Sequence, residues 1–387
     1  MQFMLFVISL FLVGLNTPKS LSDGLAWAVL RRVSAIWSRA VITSEYLPMP
    51  SVTGTEAKTS KLASVKTTKK AKSISPALSS LEIDLLAYDG GNRGVKGGYG
   101  DKRVIYPSYQ TVKKTFQDID LKKIPPNSWV IEDGSITYLV GNVAAQFQAI
   151  PTYQQNKWEI SKPLFYGLLG ALKLSGDLKI KTLRLATPDT QDASQVERLL
   201  SLKGSHHVVI NGKALTVRVG AVQIFDEGVP AWVNACQSNV WQFPKALNGI
   251  LDLGGGTAIA RLVTAQGAVV RQSELILPGT FELANKIGSY LGVNCVGPLI
   301  LDAIENQTYM LPSGVNFKAQ FLGARDEWLT TIRAELKSRW ASFAGQYGQV
   351  LVVGGSAPLA IDLVSSSSRY LMAENPQMFA LEGLING

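Results

Sequence analysis

Residues 251–260 read LDLGGGTAIA, an apolar strand ending in Asp252 and Leu253, then three glycines, then a second apolar run. Glycine lets backbone N–H groups turn toward an anion because it has no Cβ to obstruct the approach. An aspartate beside such a turn can hold Mg²⁺ near a phosphate, mostly through water, because Mg²⁺ gives up its hydration shell reluctantly. The stretch therefore predicts a hairpin whose turn can bind a phosphate group.

Two other glycine-rich segments also follow short apolar strands. Residues 81–100 read LEIDLLAYDGGNRGVKGGYG, and residues 350–356 read VLVVGGS. The following strand, KRVIYPSY, places the first glycine loop inside a predicted hairpin, with Gly97 and Gly98 at its bend. This loop follows Asp89 as the central loop follows Asp252, which predicts two similar α/β halves that each open with such a hairpin.

Strands and helices alternate along the rest of the chain from Leu81. The pairs Asp133-Gly134 and Asn211-Gly212 each mark a further hairpin. Apolar spacing or a helix-start signal predicts four helices, at residues 162–175, from Pro230, from a Thr280 cap, and at residues 325–345. Strands that alternate with helices are typical of the α/β fold class.

The composition allows two globular domains. Of the 387 residues, 46% are apolar and 17% are charged, which permits a large core and argues against wholesale disorder. The formal net charge is +9, but residues 1–80 hold +7 of it, so residues 81–387 are close to neutral. The globular part therefore carries no strong signal for direct nucleic-acid binding. We predict an N-terminal extension, 1–80, followed by domains at 81–248 and 249–387.

The N-terminal extension has three parts. Residues 1–15 are almost all apolar but short for a membrane span, and no Lys or Arg precedes them as in a signal peptide. Residues 21–45 form a basic amphipathic stretch, so residues 1–45 could contact an anionic membrane surface. Residues 50–80 have the composition of a flexible basic linker. The alternative is that residues 1–80 are a disordered tail or an over-long start of the reading frame.

Cysteine and histidine offer little catalytic or metal-binding chemistry. Cys236 and Cys295 are the only cysteines, which fits a reducing compartment, and we expect the protein in the cytoplasm. No CxxC motif or His/Cys cluster suggests zinc. His206 and His207 are the only histidines, and they precede a predicted hairpin, so we assign them to a surface strand.

The glycine loops match neither of two common nucleotide motifs. The chain lacks GxxxxGK[ST], and Ile259 stands where a dinucleotide-binding fingerprint needs Gly or Ala. The ordered set DGGNRGVK, VQIFDEGVPAW, LDLGGGTAIA and VLVVGGSAP resembles the actin-like ATPase family, most closely the bacterial plasmid-segregation actins of the ParM/StbA type. The resemblance covers residues 81–387. It extends to the ending NPQMFALEGLING, although Leu381 and Glu382 depart from the Asn of that family's pattern.

The resemblance implies an α/β, actin-like (ribonuclease H-like) duplicated two-domain fold, with a nucleotide cleft between the halves and the C-terminal helix packed on the first domain. It implies ATP and Mg²⁺ as cofactors. Asp89 and Asp252 would hold Mg²⁺, mostly through water, and Glu227 with Asp252 would carry catalysis. The other implied residues contact phosphates or adenosine: Gly90, Gly91, Asn92, Lys96, Gly254, Gly255, Gly256, Thr257, Gly354, Gly355 and Ser356.

Three of these assignments, and one residue that stays unassigned, need further comment. Glu227 would orient or deprotonate the attacking water, and the Glu-Gly pairing favours it over the adjacent Asp226. Asn92 stands where conventional actin has Ser; its amide can still donate to a phosphate, so we expect altered geometry and retained binding. Lys96 would neutralise phosphate charge. Arg93 is left open between phosphate, a filament contact and solvent.

The leading functional hypothesis is an ATPase that polymerises with itself into filaments, for plasmid or DNA segregation through a DNA-binding adaptor protein. The near-neutral core favours an adaptor over direct DNA binding. The first alternative is a small-molecule kinase of the same fold, for which the sequence offers no substrate-pocket motif. The second is a membrane-associated cytoskeletal scaffold that uses residues 1–45 as its anchor.

Overall fold

The structure, a computed structural model, describes residues 80–115, 117–155, 159–293 and 297–387. These residues belong to one compact unit, Ser75–Gly387. The predicted apolar start, the basic amphipathic stretch and the linker up to residue 79 lie outside the described residues, and so does Cys295. None of the described helices is both long enough and apolar enough to cross a membrane.

The first part of the chain forms a mixed sheet. Its strands are β1 Leu81–Gly90, β2 Gly94–Tyr99, β3 Lys102–Pro107, β4 Gln110–Val112, β5 Ser128–Asp133, β6 Ile136–Gly141, β7 Gly176–Thr187, β8 Gly204–Ile210 and β9 Lys213–Asp226. Their order in space is β3-β2-β1-β7-β9-β8-β5-β6-β4. β1 pairs antiparallel with β2 and parallel with β7, so the first glycine loop lies at the end of a central strand.

The second part repeats this arrangement in a smaller sheet. Its strands are β10 Leu247–Leu253, β11 Thr257–Val263, β12 Val269–Pro278, β13 Tyr347–Val353 and β14 Tyr370–Met372, in the order β12-β11-β10-β13-β14. β10 pairs antiparallel with β11 and parallel with β13, as β1 pairs with β2 and β7. The predicted α/β class, with two halves that each open on a hairpin, is confirmed.

Helices cover these sheets and provide the crossovers that parallel strands require. They are α1 Asn142–Gln146, α2 Ser161–Ala171, α3 Ala193–Leu200, α4 Val229–Gln237, α5 Thr280–Tyr290, α6 Gly297–Glu305, α7 Lys318–Arg339, α8 Ile361–Ser365 and α9 Phe379–Asn386. The apolar run in α2 buries Phe165 and Leu168 against the first sheet. Trp328 and Ile332 of α7 are buried against the second sheet.

The C-terminal helix α9 lies against the first sheet and α4. Leu381 and Leu384 are buried beside Ala87 of β1. The carboxylate of Glu382 accepts hydrogen bonds from Arg103 Nε at 2.7 Å and Arg103 Nη2 at 2.6 Å. The C-terminal residues are therefore fixed beside the strand that ends at the first glycine loop.

The assignment of Gly97 and Gly98 to the hairpin bend is wrong. Both lie inside β2, where they pair with Tyr88 and Ala87, and the turn consists of residues 91–93. A Cβ at Gly97 would lie 2.5 Å from the methyl groups of Leu168, and a Cβ at Gly98 would lie 2.2 Å from the Lys102 carbonyl oxygen. Glycine is required at both positions because neighbouring atoms lie too close to β2 for a side chain. In sequence, the same glycines resemble a flexible loop.

Three smaller predictions also need correction. Thr280 is the first residue of α5 and Gly279 is its N-cap, with no side-chain capping bond. The helix predicted at 325–345 begins earlier, at Lys318, and ends at Arg339. His206 lies on β8 as expected but is buried; one ring nitrogen is 3.0 Å from the Tyr166 hydroxyl and the other is 2.9 Å from the Leu202 carbonyl oxygen.

Candidate functional site

A cleft of about 870 Å³ is lined by the ends of both hairpins. All but one of the predicted site residues line it: Asp89, Gly91, Asn92, Lys96, Glu227, Asp252, Gly254, Gly255, Gly256, Thr257, Gly354, Gly355 and Ser356. The exception is Gly90, whose Cβ position faces the Tyr88 ring. The topology thus brings together three glycine segments that are far apart in sequence.

Lys96 lies where three carboxylates converge. It stands opposite Asp89 in the β1–β2 ladder, and its Nζ donates to Asp89 Oδ2 at 2.7 Å. Its side chain is only 14% exposed. Burial alone would lower the pKa of Lys96, but the nearby charges of Asp89, Asp252 and Glu227 raise the pKa overall. The ammonium therefore stays protonated, bonded to Asp89 of β1 and near the acidic groups of β10 and of the segment after β9.

The second glycine loop, residues 254–256, is held by the start of α5. The amides of Gly279, Thr280 and Phe281 donate to the carbonyls of Gly256, Gly254 and Gly255 at 2.9–3.2 Å. Because a trans peptide points its N–H opposite to its C=O, the next amides in the loop are directed away from α5. The Gly255 and Gly256 amides donate to no acceptor among the described residues. They therefore form a pair of backbone donors suited to an anion.

The two glycine loops touch each other across the cleft. A Cβ at Gly256 would lie 2.3 Å from Asn92 Nδ2 and 2.7 Å from Asn92 Cγ. The Asn92 amide consequently lies directly on the backbone of the second loop. The predicted phosphate contacts from the two halves are thus neighbours, which is the arrangement needed to bind one phosphate chain from two sides.

The third glycine segment packs beside Asp252. Gly354 has φ of +95°, and a Cβ on it would lie 2.4 Å from Asp252 Oδ1. The Ser356 amide donates to the Leu253 carbonyl at 2.9 Å, and Ser356 Oγ is 3.0 Å from Thr280 Oγ1. Glycine at 354 is therefore needed both for its left-handed backbone and for its approach to the carboxylate.

Glu227 and its neighbour Asp226 point into different surroundings. Glu227 lies between β9 and α4, lines the cleft, and its amide donates to the Thr187 carbonyl at 2.7 Å. Asp226 is not part of the cleft lining; Arg271 Nη2 donates to its Oδ2 at 2.7 Å and Nη1 to its Oδ1 at 3.1 Å. Of the two acidic residues, only Glu227 can reach a ligand in the cleft.

Arg93, which the sequence left open, bridges the cleft. Its Nη2 donates to Asp302 Oδ1 at 2.9 Å and to Glu305 Oε2 at 2.6 Å, both on α6. Burial would lower the pKa of Arg93, but the two carboxylates raise it. Sequence reasoning missed Asp302 and Glu305; their i, i+3 spacing places them on one helix face, but nothing local identifies their partner.

The described residues contain no cluster of three or more His, Cys, Asp or Glu side chains that could hold a metal ion. Mg²⁺ commonly binds through one or two carboxylates together with water and phosphate oxygens. Asp89 and Asp252 both line the cleft and both lie close to Lys96. The donor set therefore suits Mg²⁺ only when a phosphate ligand is bound beside it.

Comparison with known proteins gives matches among solved structures. No family model matches the chain, and no curated protein matches it. An archaeal actin homologue in complex with ADP superposes with a TM-score of 0.62 at 14% identity, covering 79% of this chain and 98% of that one. A 15-stranded ParM filament from Clostridium botulinum gives 0.62 at 16% identity, covering 79% and 99%. The apo psk41 ParM protein gives 0.58 at 18% identity, covering 78% and 95%. The chain has the actin-like fold that these proteins share.

Proposed function

We propose that this protein is an actin-like ATPase that binds Mg-ATP in the cleft and polymerises into filaments. One observation carries the proposal: Asp89, Asp252 and Glu227 converge on Lys96, next to the unpaired Gly255 and Gly256 amides. Such a site combines donors for phosphate with carboxylates for a metal ion. The fold supports it as well, because one structural neighbour is an archaeal actin homologue in complex with ADP and another is a ParM filament.

The residues present fit a polyphosphate with its metal ion. The amides of Gly255 and Gly256, the Asn92 side chain and Lys96 would bind the phosphates, while Asp89 and Asp252 would hold Mg²⁺ chiefly through water. The third glycine segment, residues 354–356, would lie against the adenosine. When bound, Mg²⁺ would supply positive charge that neutralises the phosphate oxygens.

Glu227 is the residue we assign to hydrolysis. Glu227 lines the cleft, whereas its neighbour Asp226 accepts hydrogen bonds from Arg271. A carboxylate in this place can orient or deprotonate a water molecule directed at the terminal phosphate, a role worth roughly 10²–10⁴-fold in rate. Lys96 and Asp252 would set the electrostatic field in which that water reacts.

Filament formation would follow from closure of the cleft. ATP contacting loops from both sheets would fix one shape of the protomer, and a head-to-tail contact between identical protomers generates a filament. Loss of the terminal phosphate would release the two loops from each other and weaken that contact. The near-neutral charge of residues 81–387 favours a DNA-binding adaptor, in the cytoplasm, as the link to plasmid DNA.

Sedimentation with simultaneous measurement of phosphate release tests this function. We expect pelletable polymer with Mg-ATP, no polymer without nucleotide, and phosphate release that follows polymer formation. GTP and ADP serve as comparison nucleotides. ATP turnover without polymer at high protein concentration would contradict the filament. Turnover that rises on addition of small hydroxyl compounds would instead indicate a kinase of the same fold.

A further inference from the structure

We infer that Asp226, Arg261 and Arg271 are positioning residues for Glu227: the two arginines hold Asp226, the residue before it, against the second sheet. The inference rests on the proposed ATPase function, because it assigns these residues a purpose in hydrolysis. None of the three is among the residues that line the cleft. They would act on the reaction only through Glu227.

Asp226, which precedes Glu227, is held on several sides. It is the last residue of β9, and its side chain is 12% exposed. Both carboxylate oxygens accept from Arg271 of β12, at 3.1 and 2.7 Å. Oδ1 also accepts from the amide of Thr190 at 3.0 Å and from its hydroxyl at 3.1 Å. A forked arginine contact of this kind restricts the carboxylate in both distance and direction.

The second arginine, Arg261, lies near Asp226 and beside the space next to Gly228, which follows Glu227. Arg261 of β11 is fully buried, and its Cδ lies 3.5 Å from the Cβ position of Gly228. Its Nη2 donates to the Pro188 carbonyl at 2.8 Å and to Glu274 Oε1 at 2.5 Å. Its Nη1 lies 3.7 Å from Asp226 Oδ1. Asp226, the residue before Glu227, therefore lies against two arginines of the second sheet.

The charges around the arginines are matched by acidic groups from both sheets. Arg271 Nη1 is 3.6 Å from Asp189 Oδ1 and 3.5 Å from Glu274 Oε2, in addition to its contacts with Asp226. Arg261 Nε and Nη1 have no hydrogen-bond partner among the described residues, although they are buried. Burying a cation with unused donors has an energetic cost, which the surrounding carboxylates offset in part.

Arg261 also links the segment before Glu227 to the strand that carries Asp252. Arg261 on β11 pairs with Ile250 of β10, two residues before Asp252. The strand that carries Asp252 and the strand that carries Arg261 are therefore neighbours in one ladder. Displacing a reacting group by about 1 Å can cost about 10²-fold in rate, so a rigid link between these carboxylates has a clear catalytic value.

The test compares Asp226→Asn with a matched control, Asp133→Asn. Asp133 is also the last residue of a strand, forms an ion pair with Lys162 at 2.9 Å and lies outside the cleft lining, but neither of its chain neighbours lines the cleft. We expect Asp226→Asn to lower kcat for ATP by about 10²-fold while the dissociation constant for ATP changes less than about twofold. Asp133→Asn should change neither quantity, and melting temperatures report any structural loss in both variants.

A double variant separates positioning from structure. In a Glu227→Ala background, Asp226→Asn should cause no further loss of kcat, because residues that act as a unit are not additive. A full additional loss, or an equal fall in affinity and kcat in the single variant, would overturn the inference. If Asp226→Asn does not fold, Arg271→Lys, which keeps the charge but loses the fork, is judged by the same criteria. Wild-type protein without ATP hydrolysis would instead refute the proposed function itself.

Discussion

The two hairpins that open the two sheets share one topology but present different chemistry to the cleft. In the β1–β2 hairpin the turn and the returning strand carry Asn92, Arg93 and Lys96, so side chains face the cleft. In the β10–β11 hairpin the turn is Gly254–Gly256, and backbone amides face it. The turn and returning strand of the first hairpin therefore supply polar and charged side chains, and the turn of the second supplies a backbone anion site.

The two turns also differ in how firmly they are held. The second turn has its carbonyls bonded to the first amides of α5, all within 3.2 Å. The first turn is held across the cleft by Arg93, whose side chain is 29% exposed and whose partners Asp302 and Glu305 are 60% and 62% exposed. The backbone hydrogen bonds that hold the second turn persist at high salt, whereas exposed ion pairs such as those of Arg93 are screened. Ligand-dependent change should therefore concentrate in the first hairpin.

The largest expected effect is on the aspartate of the second hairpin. We expect Asp252→Ala to abolish the Mg²⁺ dependence of ATP binding and to lower affinity in Mg²⁺ by about 10–100-fold, the usual range when a group acting through metal-bound water is lost. Titration of a fluorescent ATP analogue, with Mg²⁺ and with EDTA, measures this. Asp133→Ala is the control, and an unchanged Mg²⁺ dependence in Asp252→Ala would refute the metal assignment.

The location of the site could be predicted because its signals are local. The glycine turns after apolar strands, with Asp89 and Asp252 before them, follow from short-range rules about backbone and turn chemistry. The pairing of β10 with β13 then brings the second and third glycine segments together, and the first segment lines the same cleft. The sequence pattern was sufficient here because each element carried its own signal.

The partners of the arginines could not be predicted, because they join residues that are distant in sequence. Arg93 meets Glu305 across 212 positions, and Arg271 meets Asp226 across 45. The type of a side chain indicates that its charge needs a partner, but it does not identify that partner. The placement of Gly97 in the hairpin bend was wrong for a related reason. Glycine is needed there because Leu168, on another element, lies too close for a side chain, whereas the local sequence looks like a loop.

An intermediate effect is expected where the two hairpins touch. Gly256→Ala places a methyl group 2.3 Å from Asn92 Nδ2, so the Asn92 side chain must move away from the second loop. Overpacking of this kind costs about 1–3 kcal/mol, and we expect ATP affinity to fall by roughly 10-fold. Isothermal titration measures the affinity, and thermal melting measures stability.

Gly323→Ala is the matched control for this substitution. Gly323 lies in α7, and a Cβ there meets no atom within 4 Å. ATP affinity should be unchanged, and stability should rise by up to about 1 kcal/mol because alanine favours the helix. Equal effects of the two substitutions on affinity would show that contact between the hairpins is not what positions the phosphate donors.

The smallest effect on ATP binding is expected from substitution of Arg93, because exposed ion pairs contribute only about 0.2–1 kcal/mol each. Arg93→Ala should speed release of a fluorescent ATP analogue by less than about 10-fold at low salt, and the difference should vanish at high salt. Lys286→Ala, which removes an exposed ion pair between α5 and α7, is the control. If Arg93→Ala abolished ATP binding at any salt concentration, Arg93 would be a phosphate ligand. The first hairpin would then bind the ligand mainly through that side chain, and its tie to α6 would be secondary.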